Sequence, residues 1–301
     1  MSLRELILDI LEKSENIDNN KRFDFIEKEI KNIKNLKQKL EQEFTSIEFI
    51  PDFFSHDSSM EKNWAKASDI LLAEYFTNIG YFAEAIKARG DSADVLAIKN
   101  NKHILVADAK CFRITRTARN QKDFKITALS EWRKSSMYAV LVAPLTLYPS
   151  KRSQIYSQAI KNNVLLASYS QLQFLLKYKN KYSLEQLEQQ LFNVKSIFNT
   201  TSQNAVEYFS KINEKIISIT NTDKTEFFNF LENEEIKTLN LVSKESIQWF
   251  KRLKRKIENM EIDELKKIII NDVYNIPNKF KVIMKTINNS KSFISSLKNN
   301  F

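Results

Sequence analysis

Apolar positions recur every three or four residues along most of the chain, which is the spacing of amphipathic helices. Near the N-terminus, Leu3, Ile7, Ile10 and Leu11 share one helical face. The same periodicity predicts helices over 22–46, 59–79, 127–135, 154–161, 171–178, 184–193, 203–218, 222–232, 234–257, 261–273 and 278–297. We therefore expect helix to dominate.

The pattern changes between residues 82 and 110, where three short apolar or alternating runs replace the helical spacing. They cover 82–86, 94–98 and 103–109, and turn-forming residues separate them. Short runs divided by turn residues are typical of an antiparallel meander. Two further strands are predicted over 138–143 and 164–168, alternating with helices. The sequence thus predicts an α/β (α+β) protein with a mixed β-sheet core flanked by helices.

Three regions are expected from these patterns. Residues 1–80 form N-terminal helices packing on the core, residues 81–180 form the core, and residues 181–301 form a predominantly helical C-terminal region. The segment KYKNKYS near residue 180 marks a soft boundary, either a linker or a loop.

Composition narrows the function classes. With only Gly80 and Gly90 among 301 residues, glycine-rich phosphate-binding loops are excluded. One cysteine and two histidines leave no disulfide and no zinc cluster, so a metal site must use carboxylates. No membrane span or secretory signal is recognised, and a cytoplasmic location is expected. The net charge of +10 suits a polyanionic partner but also occurs in many other proteins.

The strongest chemical signal is a pair of acids and a lysine on the meander. Asp94 opens one strand, and Asp108 lies near the end of the next, two residues before Lys110. Residues i and i+2 share a face of a strand, so Asp108 and Lys110 point the same way. Two converging carboxylates, with the carbonyl of Ala109, can bind Mg²⁺, and a lysine beside them can orient or deprotonate a water. The plainer alternative is an Asp–Lys ion pair.

The segment 112–125 that follows has the composition of a DNA-recognition loop. Basic residues recur about every third position, and Asn120 and Gln121 accompany them; the basic residues are Arg113, Arg116, Arg119, Lys122 and Lys125. Arg and Lys bind phosphates or guanine edges, whereas Asn and Gln pair with adenine. The alternative is a solvated basic loop.

These residues resemble the HindIII family of type II restriction endonucleases, within the PD-(D/E)xK nuclease superfamily. The resemblance is carried by VADAKCFRITRTARNQKDFKITALSEWR, YAVLVAP and YPSKRSQIYSQAI, and more loosely by EKNWAKASDILLAEYF and the helical C-terminal third. It implies a restriction-endonuclease-like fold and a homodimer that cuts both strands of palindromic double-stranded DNA with Mg²⁺. The implied site is AAGCTT, cut after the first A to give 5′-phosphate ends, with a DNA methyltransferase as functional partner.

Carried over by position, Asp94, Asp108 and Lys110 match the nuclease motif. Asp123 matches a further acid near the active site, where a second metal site would depend on it. The sequence departs from the pattern twice: Ala93 stands where the generic motif has proline, and Lys87 stands where the family has an acid.

For the implied site, we assign Asn120 to adenine and Arg113 and Arg116 to phosphates. Guanine is assigned to Lys122, Arg119 or Lys125, and a thymine methyl or a close base edge to Ala118. Glu84 is either a further ligand or an exposed strand acid, and Glu131 either supports Lys110 or forms a surface ion pair. Two other functions stay open: a non-catalytic sequence-specific DNA-binding protein, and a repair or junction nuclease with the same core.

Overall fold

A computed structural model describes residues 1–87, 92–115, 121–258 and 276–299. Its centre is a five-stranded mixed sheet with the strand order β2-β3-β4-β6-β7, accompanied by a small two-stranded sheet of β1 and β5. The strands are β1 (Phe49–Ile50), β2 (Phe82–Ala85), β3 (Val95–Lys99), β4 (Lys102–Ala109), β5 (Phe112–Arg113), β6 (Tyr138–Ala143) and β7 (Val164–Ser168).

The predicted meander is confirmed. Strands β2, β3 and β4 pair antiparallel in chain order, with Glu84 opposite Leu96 and Val95 opposite Ala107. Asn100 and Asn101 both have positive φ, of 51° and 59°, in the turn between β3 and β4. Two consecutive positive φ values are typical of a tight hairpin turn, and asparagine tolerates them better than most residues.

The other half of the sheet is parallel and buried. Strand β6 pairs with β4 on one side and β7 on the other, and every residue of β6 and β7 is buried. One helix lies between β4 and β6 in the chain and another between β6 and β7, as parallel neighbours require. The mixed α/β fold class predicted from the sequence is therefore confirmed.

Twelve α-helices lie within the described ranges, together with short 3₁₀ turns and one π-helical segment at Glu188–Phe192. They are α1 (Leu3–Ser14), α2 (Asn19–Lys31), α3 (Leu36–Glu43), α4 (Ser59–Ile79), α5 (Ile126–Trp132), α6 (Gln154–Asn162), α7 (Tyr169–Lys177), α8 (Leu184–Leu187), α9 (Val194–Ile197), α10 (Ala205–Thr220), α11 (Lys224–Glu258) and α12 (Ile276–Asn299).

Helix α4 has the bounds that its sequence predicts. The Ser58 side chain accepts a hydrogen bond from the Glu61 amide at the N-terminus, and Gly80 ends the helix with φ of 121°. A side chain at Gly80 would meet Leu184, 3.3 Å from an added Cβ, so both its conformation and its surroundings favour glycine. The buried face of α4 packs on β2, β3 and β4.

Other predicted helices differ in their bounds. The segment 22–46 is divided into α2 and α3, because Asn35 adopts a left-handed conformation between them. The predicted helices 222–232 and 234–257 are one continuous helix, α11, since no glycine or proline interrupts them. The predicted helix 261–273 lies outside the described residues.

The short parallel sheet of β1 and β5 was not predicted. Phe49 pairs with Phe112, and the Phe112 amide donates to the Glu48 carbonyl. Two-residue strands are too short to show a period of two in the sequence. This sheet fixes the chain directly after β4.

The C-terminal helices pack against the N-terminal part of the chain through a buried arginine. Arg4 of α1 forms a two-point ion pair with Glu245 of α11, with Nε–Oε2 2.7 Å and Nη2–Oε1 2.9 Å. Its guanidinium also lies 4.7 Å from the Trp64 ring centroid. None of the described helices combines the length and apolar character needed to span a bilayer.

Candidate active site

The sheet brings Asp94 and Asp108 together as the meander predicts. Asp94 precedes β3, Asp108 is the next-to-last residue of β4, and these strand ends are neighbours because Val95 pairs with Ala107. Asp108 is fully buried, whereas the Asp94 side chain is 30% exposed. One acid of the pair is therefore buried in the protein, and the other is accessible to solvent.

Lys110 lies beside Asp108, also as predicted. Its Nζ is 2.5 Å from Asp108 Oδ2, and its backbone amide donates to the Val142 carbonyl at 2.7 Å. Burial alone would lower the pKa of Lys110, but the Asp108, Asp94 and Asp69 carboxylates outweigh it and raise that pKa. Burial also raises the pKa of Asp108, against the lowering effect of Lys110.

Helix α4 adds two residues that the sequence interpretation missed, Asp69 and Lys66. Asp69 is 4% exposed, and one carboxylate oxygen from each of Asp69, Asp94 and Asp108 lies within 4.8 Å of the others. Lys66 Nζ donates to Asp94 Oδ1 at 2.9 Å and to Asp69 Oδ2 at 3.3 Å. Burial and the Asp94 charge raise the pKa of Asp69 well above its ordinary value.

A signal for Asp69 was present in the sequence. It is an acid inside the run Ala67 to Leu72 of α4, whose other members are all buried. An acid on the buried face of a helix is costly unless it has a partner or a function. Asp69 was missed because the segment 59–79 was interpreted only as an amphipathic helix.

The three acids fit a hard divalent cation. Carboxylate oxygens are the ligands that Mg²⁺ prefers, and it needs few protein ligands because it keeps several waters. Asp108 Oδ1 is buried and accepts no hydrogen bond from the described residues, so it has an unused coordination position. Ala109, whose carbonyl is a predicted ligand, is 6% exposed and ends β4 between Asp108 and Lys110.

The predicted DNA-recognition loop is described in part. Arg116, Ala118, Arg119 and Asn120 lie outside the described residues. Lys122 and Lys125 are exposed and Asp123 is half-buried, around a 3₁₀ turn at Gln121–Asp123. The intervening Phe124 is buried and stacks on Tyr148, with centroids 5.2 Å apart and an interplanar angle of 15°. Phe124 therefore anchors the end of this loop to the core.

Arg113 is engaged with protein partners. Its Nε lies 3.2 Å from Glu61 Oε1, and its Nη1 donates to the Asp52 carbonyl at 3.2 Å. The side chain is 17% exposed. In this arrangement the guanidinium joins β5 to α4 and to the segment after β1.

Two candidate acids, Glu84 and Glu131, and the unexpected Lys87 lie outside the acid cluster. Glu84 is exposed on β2, and Glu131 is exposed on α5. Lys87, where the family resemblance implied an acid, forms an ion pair with Asp24 of α2. Lys87 is therefore turned to a partner outside the acid cluster.

Cys111 is partly buried next to Lys110. Its thiol is 2.9 Å from Ser68 Oγ and 3.2 Å from the Tyr169 hydroxyl. Burial raises the pKa of the thiol to about 12, so it stays protonated at neutral pH. This residue belongs to the packing that supports β4.

Comparison with known proteins places the chain among the type II restriction endonucleases. It belongs to the HindIII restriction endonuclease family, whose sequence model matches residues 6–287. The type II restriction enzyme HindIII of Haemophilus influenzae is 35% identical over 264 aligned residues, covering 85% of this chain and 83% of that protein. The chain is therefore a site-specific deoxyribonuclease, and the family resemblance seen in the sequence is confirmed.

Proposed function

We propose that this enzyme uses Mg²⁺ to hydrolyse both strands of double-stranded DNA at the palindrome AAGCTT, after the first A, leaving 5′-phosphate ends. The observation that supports the chemistry is the convergence of three carboxylates within 4.8 Å, with Lys110 against Asp108. The choice of site rests on the family resemblance. The basic segment directly after the lysine supports DNA as the substrate.

Each residue of the cluster has a separate role in this proposal. Asp94, Asp108 and the Ala109 carbonyl hold Mg²⁺, and Asp69 adds a third carboxylate. When bound, Mg²⁺ supplies a water of lowered pKa and neutralises charge on the scissile phosphate. Lys110, held by Asp108 as an ammonium group of raised pKa, orients the attacking water.

The half-buried Asp123 is the residue on which a second cation site would depend. It lies between the exposed Lys122 and the buried Phe124, at the anchored end of the basic loop. An acid at this place can approach the phosphate that the loop positions. The variant Asp123→Asn tests this role: it should slow cleavage more than it weakens DNA binding.

A palindromic site implies a symmetric protein. We propose a homodimer, because a two-fold axis lets one loop read both halves of the site. Base readout is assigned to Asn120, Arg119, Lys122, Lys125 and Ala118, and phosphate contacts to Arg113 and Arg116. A DNA methyltransferase of the same specificity would protect the host genome.

Plasmid digestion tests the proposal. Wild-type enzyme with Mg²⁺ should give discrete fragments ending in four-nucleotide 5′ overhangs, whereas EDTA should stop cutting. Asp108→Asn should remove cleavage and retain binding of the AAGCTT duplex, since one less carboxylate reduces repulsion with phosphate. Glu214→Gln is the matched control, because Glu214 is an exposed acid of α10 that has no role in the proposed site.

Other outcomes separate the alternatives. A smear or nicked circles would indicate a repair or junction nuclease. Discrete fragments with different ends would retain the enzyme class and reject AAGCTT. DNA binding without cutting under any divalent cation would support the non-catalytic DNA-binding protein and contradict the proposal.

A further inference from the structure

Lys66 occupies an unusual place for a lysine, inside the candidate cation site. It lies on α4 one turn before Asp69, so the two side chains share a helix face. Its Nζ is within hydrogen-bonding distance of Asp94 Oδ1, at 2.9 Å, as well as of Asp69 Oδ2, at 3.3 Å. One ammonium group thereby connects two of the three converging carboxylates.

The two lysines of the site divide the carboxylates between them. Lys110 pairs with the buried Asp108, whereas Lys66 pairs with Asp69 and Asp94. Three carboxylates this close would repel one another without counter-ions. Lys66 therefore places a positive charge against both Asp69 and Asp94.

The same carboxylate oxygens would be needed by a divalent cation. Mg²⁺ binds carboxylate oxygens at about 2.0 to 2.1 Å, and an ammonium group beside those oxygens would repel it. The Lys66 side chain is 36% exposed, and its flexible stem allows the ammonium group to leave toward solvent. Asp108 and Lys110 are more deeply buried and have no such freedom.

We propose that Lys66 is a positioning residue that serves as a tethered counter-ion: it holds Asp69 and Asp94 together in the cation-free enzyme and is displaced when a divalent cation binds. This inference rests on the proposed cation site. If it is correct, Lys66 lowers the affinity of the site for a divalent cation and stabilises the cation-free enzyme.

Lysine-to-methionine substitution tests both effects, because methionine keeps much of the stem and removes the charge. In full-length enzyme without DNA, Lys66→Met should bind Mn²⁺ about tenfold more tightly than wild type, since a like charge beside the site is removed. In EDTA its thermal midpoint should fall below that of wild type, and saturating Mn²⁺ should remove the difference. Isothermal titration and thermal unfolding measure the two effects.

Lys62→Met is the matched control. Lys62 is an exposed lysine one turn earlier on α4, so its substitution changes net charge and helix composition in the same way. It should leave Mn²⁺ affinity within about twofold of wild type, because an exposed charge is largely screened. Lys66→Gln provides a second variant if Lys66→Met does not fold.

Different outcomes would contradict the role of Lys66 and the cation site itself. Unchanged or weaker Mn²⁺ binding by Lys66→Met, with wild-type binding lost in Asp108→Asn, would overturn the role of Lys66 and keep the cation site. No Mn²⁺ binding by wild type would overturn both. Weaker binding of cognate DNA in EDTA with unchanged Mn²⁺ affinity would assign Lys66 to a phosphate and overturn the proposal.

Discussion

Lys110 Nζ and Asp108 Oδ2 are 2.5 Å apart at the end of β4, in a region where Asp108 is fully buried. The i, i+2 spacing places both side chains on one face of the chain, and the β3–β4 pairing brings Asp94 to the same face. The ion pair alone is compatible with a structural role. The nearby Asp94 and Asp69 carboxylates favour a site built for a cation.

We expect Lys110→Ala to reduce the rate of DNA cleavage by about a hundredfold or more, the range typical of losing a group that orients or accepts a proton. Single-turnover cleavage of an AAGCTT duplex with saturating Mg²⁺ measures it. Binding of the same duplex with Ca²⁺ should stay close to wild type. A cleavage rate within tenfold of wild type would remove Lys110 from the proposed mechanism.

The sequence predicted the parts of the fold that have strong local signals. Helix α4 has a serine cap and a terminal glycine, and β6 and β7 are continuous apolar runs, so their bounds agree with the structure. The break at Asn35 was missed because a left-handed asparagine leaves the surrounding helical periodicity intact. The sheet of β1 and β5 was missed because each strand has only two residues, too few to give a strand pattern in the sequence, and it forms through tertiary pairing.

The convergence of the candidate site residues could be predicted from the sequence only for those on the strands. Asp94, Asp108 and Lys110 are placed by strand alternation and hairpin pairing, which spacing in the sequence reveals. Asp69 and Lys66 come from a helix that precedes the sheet in the chain, and their approach depends on how α4 packs. That packing angle has no signature in a single sequence.

Arg113→Ala should lower the free energy of unfolding by about 1 to 3 kcal/mol, because it removes a partly buried ion pair with Glu61 and a hydrogen bond to the Asp52 carbonyl. Urea denaturation measures the change. Lys122→Ala, at an exposed position, should have little effect on unfolding.

A double-mutant cycle with Glu61→Ala separates the roles of Arg113. Coupling between the two substitutions indicates that Arg113 stabilises the fold through Glu61. Unchanged stability, with a shallower salt dependence of DNA binding, would instead support the phosphate contact predicted from the sequence.

Asn120→Ala should cost about 1 to 3 kcal/mol in binding to an AAGCTT duplex and leave binding to a scrambled duplex nearly unchanged, because adenine readout contributes only at the cognate site. Titrations at two salt concentrations measure both affinities. Arg116→Ala should weaken both complexes and flatten the salt dependence. An equal loss on both duplexes would exclude Asn120 as a base reader.

A homodimer predicts a sedimentation coefficient corresponding to twice the 35.3 kDa chain mass at micromolar concentration. The AAGCTT duplex should bind one dimer, because the palindrome presents the same base edges twice. Sedimentation with and without the duplex in Ca²⁺ measures both. Monomer alone under both conditions would contradict a two-fold symmetric complex.

Glu235 of α11 and Glu48 before β1 form a second buried acidic region, outside the cluster of Asp69, Asp94 and Asp108. Both are fully buried; Ser170 Oγ donates to Glu235 Oε1 at 2.7 Å, while both oxygens of Glu48 lack a hydrogen-bond partner among the described residues. Burial raises the pKa of Glu235 to about 7, and burial together with the Glu235 charge raises that of Glu48.

A raised pKa in the folded state means that the folded protein binds more protons than the unfolded chain. The Glu235 contribution to stability is therefore complete below its ordinary pKa of 4.5 and is lost as the pH rises through about 7. Glu235→Gln abolishes this loss, since glutamine stays neutral. Relative to wild type, the variant should gain about 2 to 3 kcal/mol in unfolding free energy between pH 5 and pH 8.

Urea denaturation at pH 5, 6.5 and 8 measures that gain, and Glu232→Gln is the matched control. Glu232 is a nearby acid on α11, but it is partly exposed and ion-paired with Lys298. Its substitution should shift the curve by a similar small amount at every pH, because an exposed pair contributes little. The contrary result would be the same difference in unfolding free energy between wild type and Glu235→Gln at pH 5 and at pH 8. Glu235 would then be charged in the folded protein throughout this range. The buried region would have to contain a counter-ion that stabilises this charge.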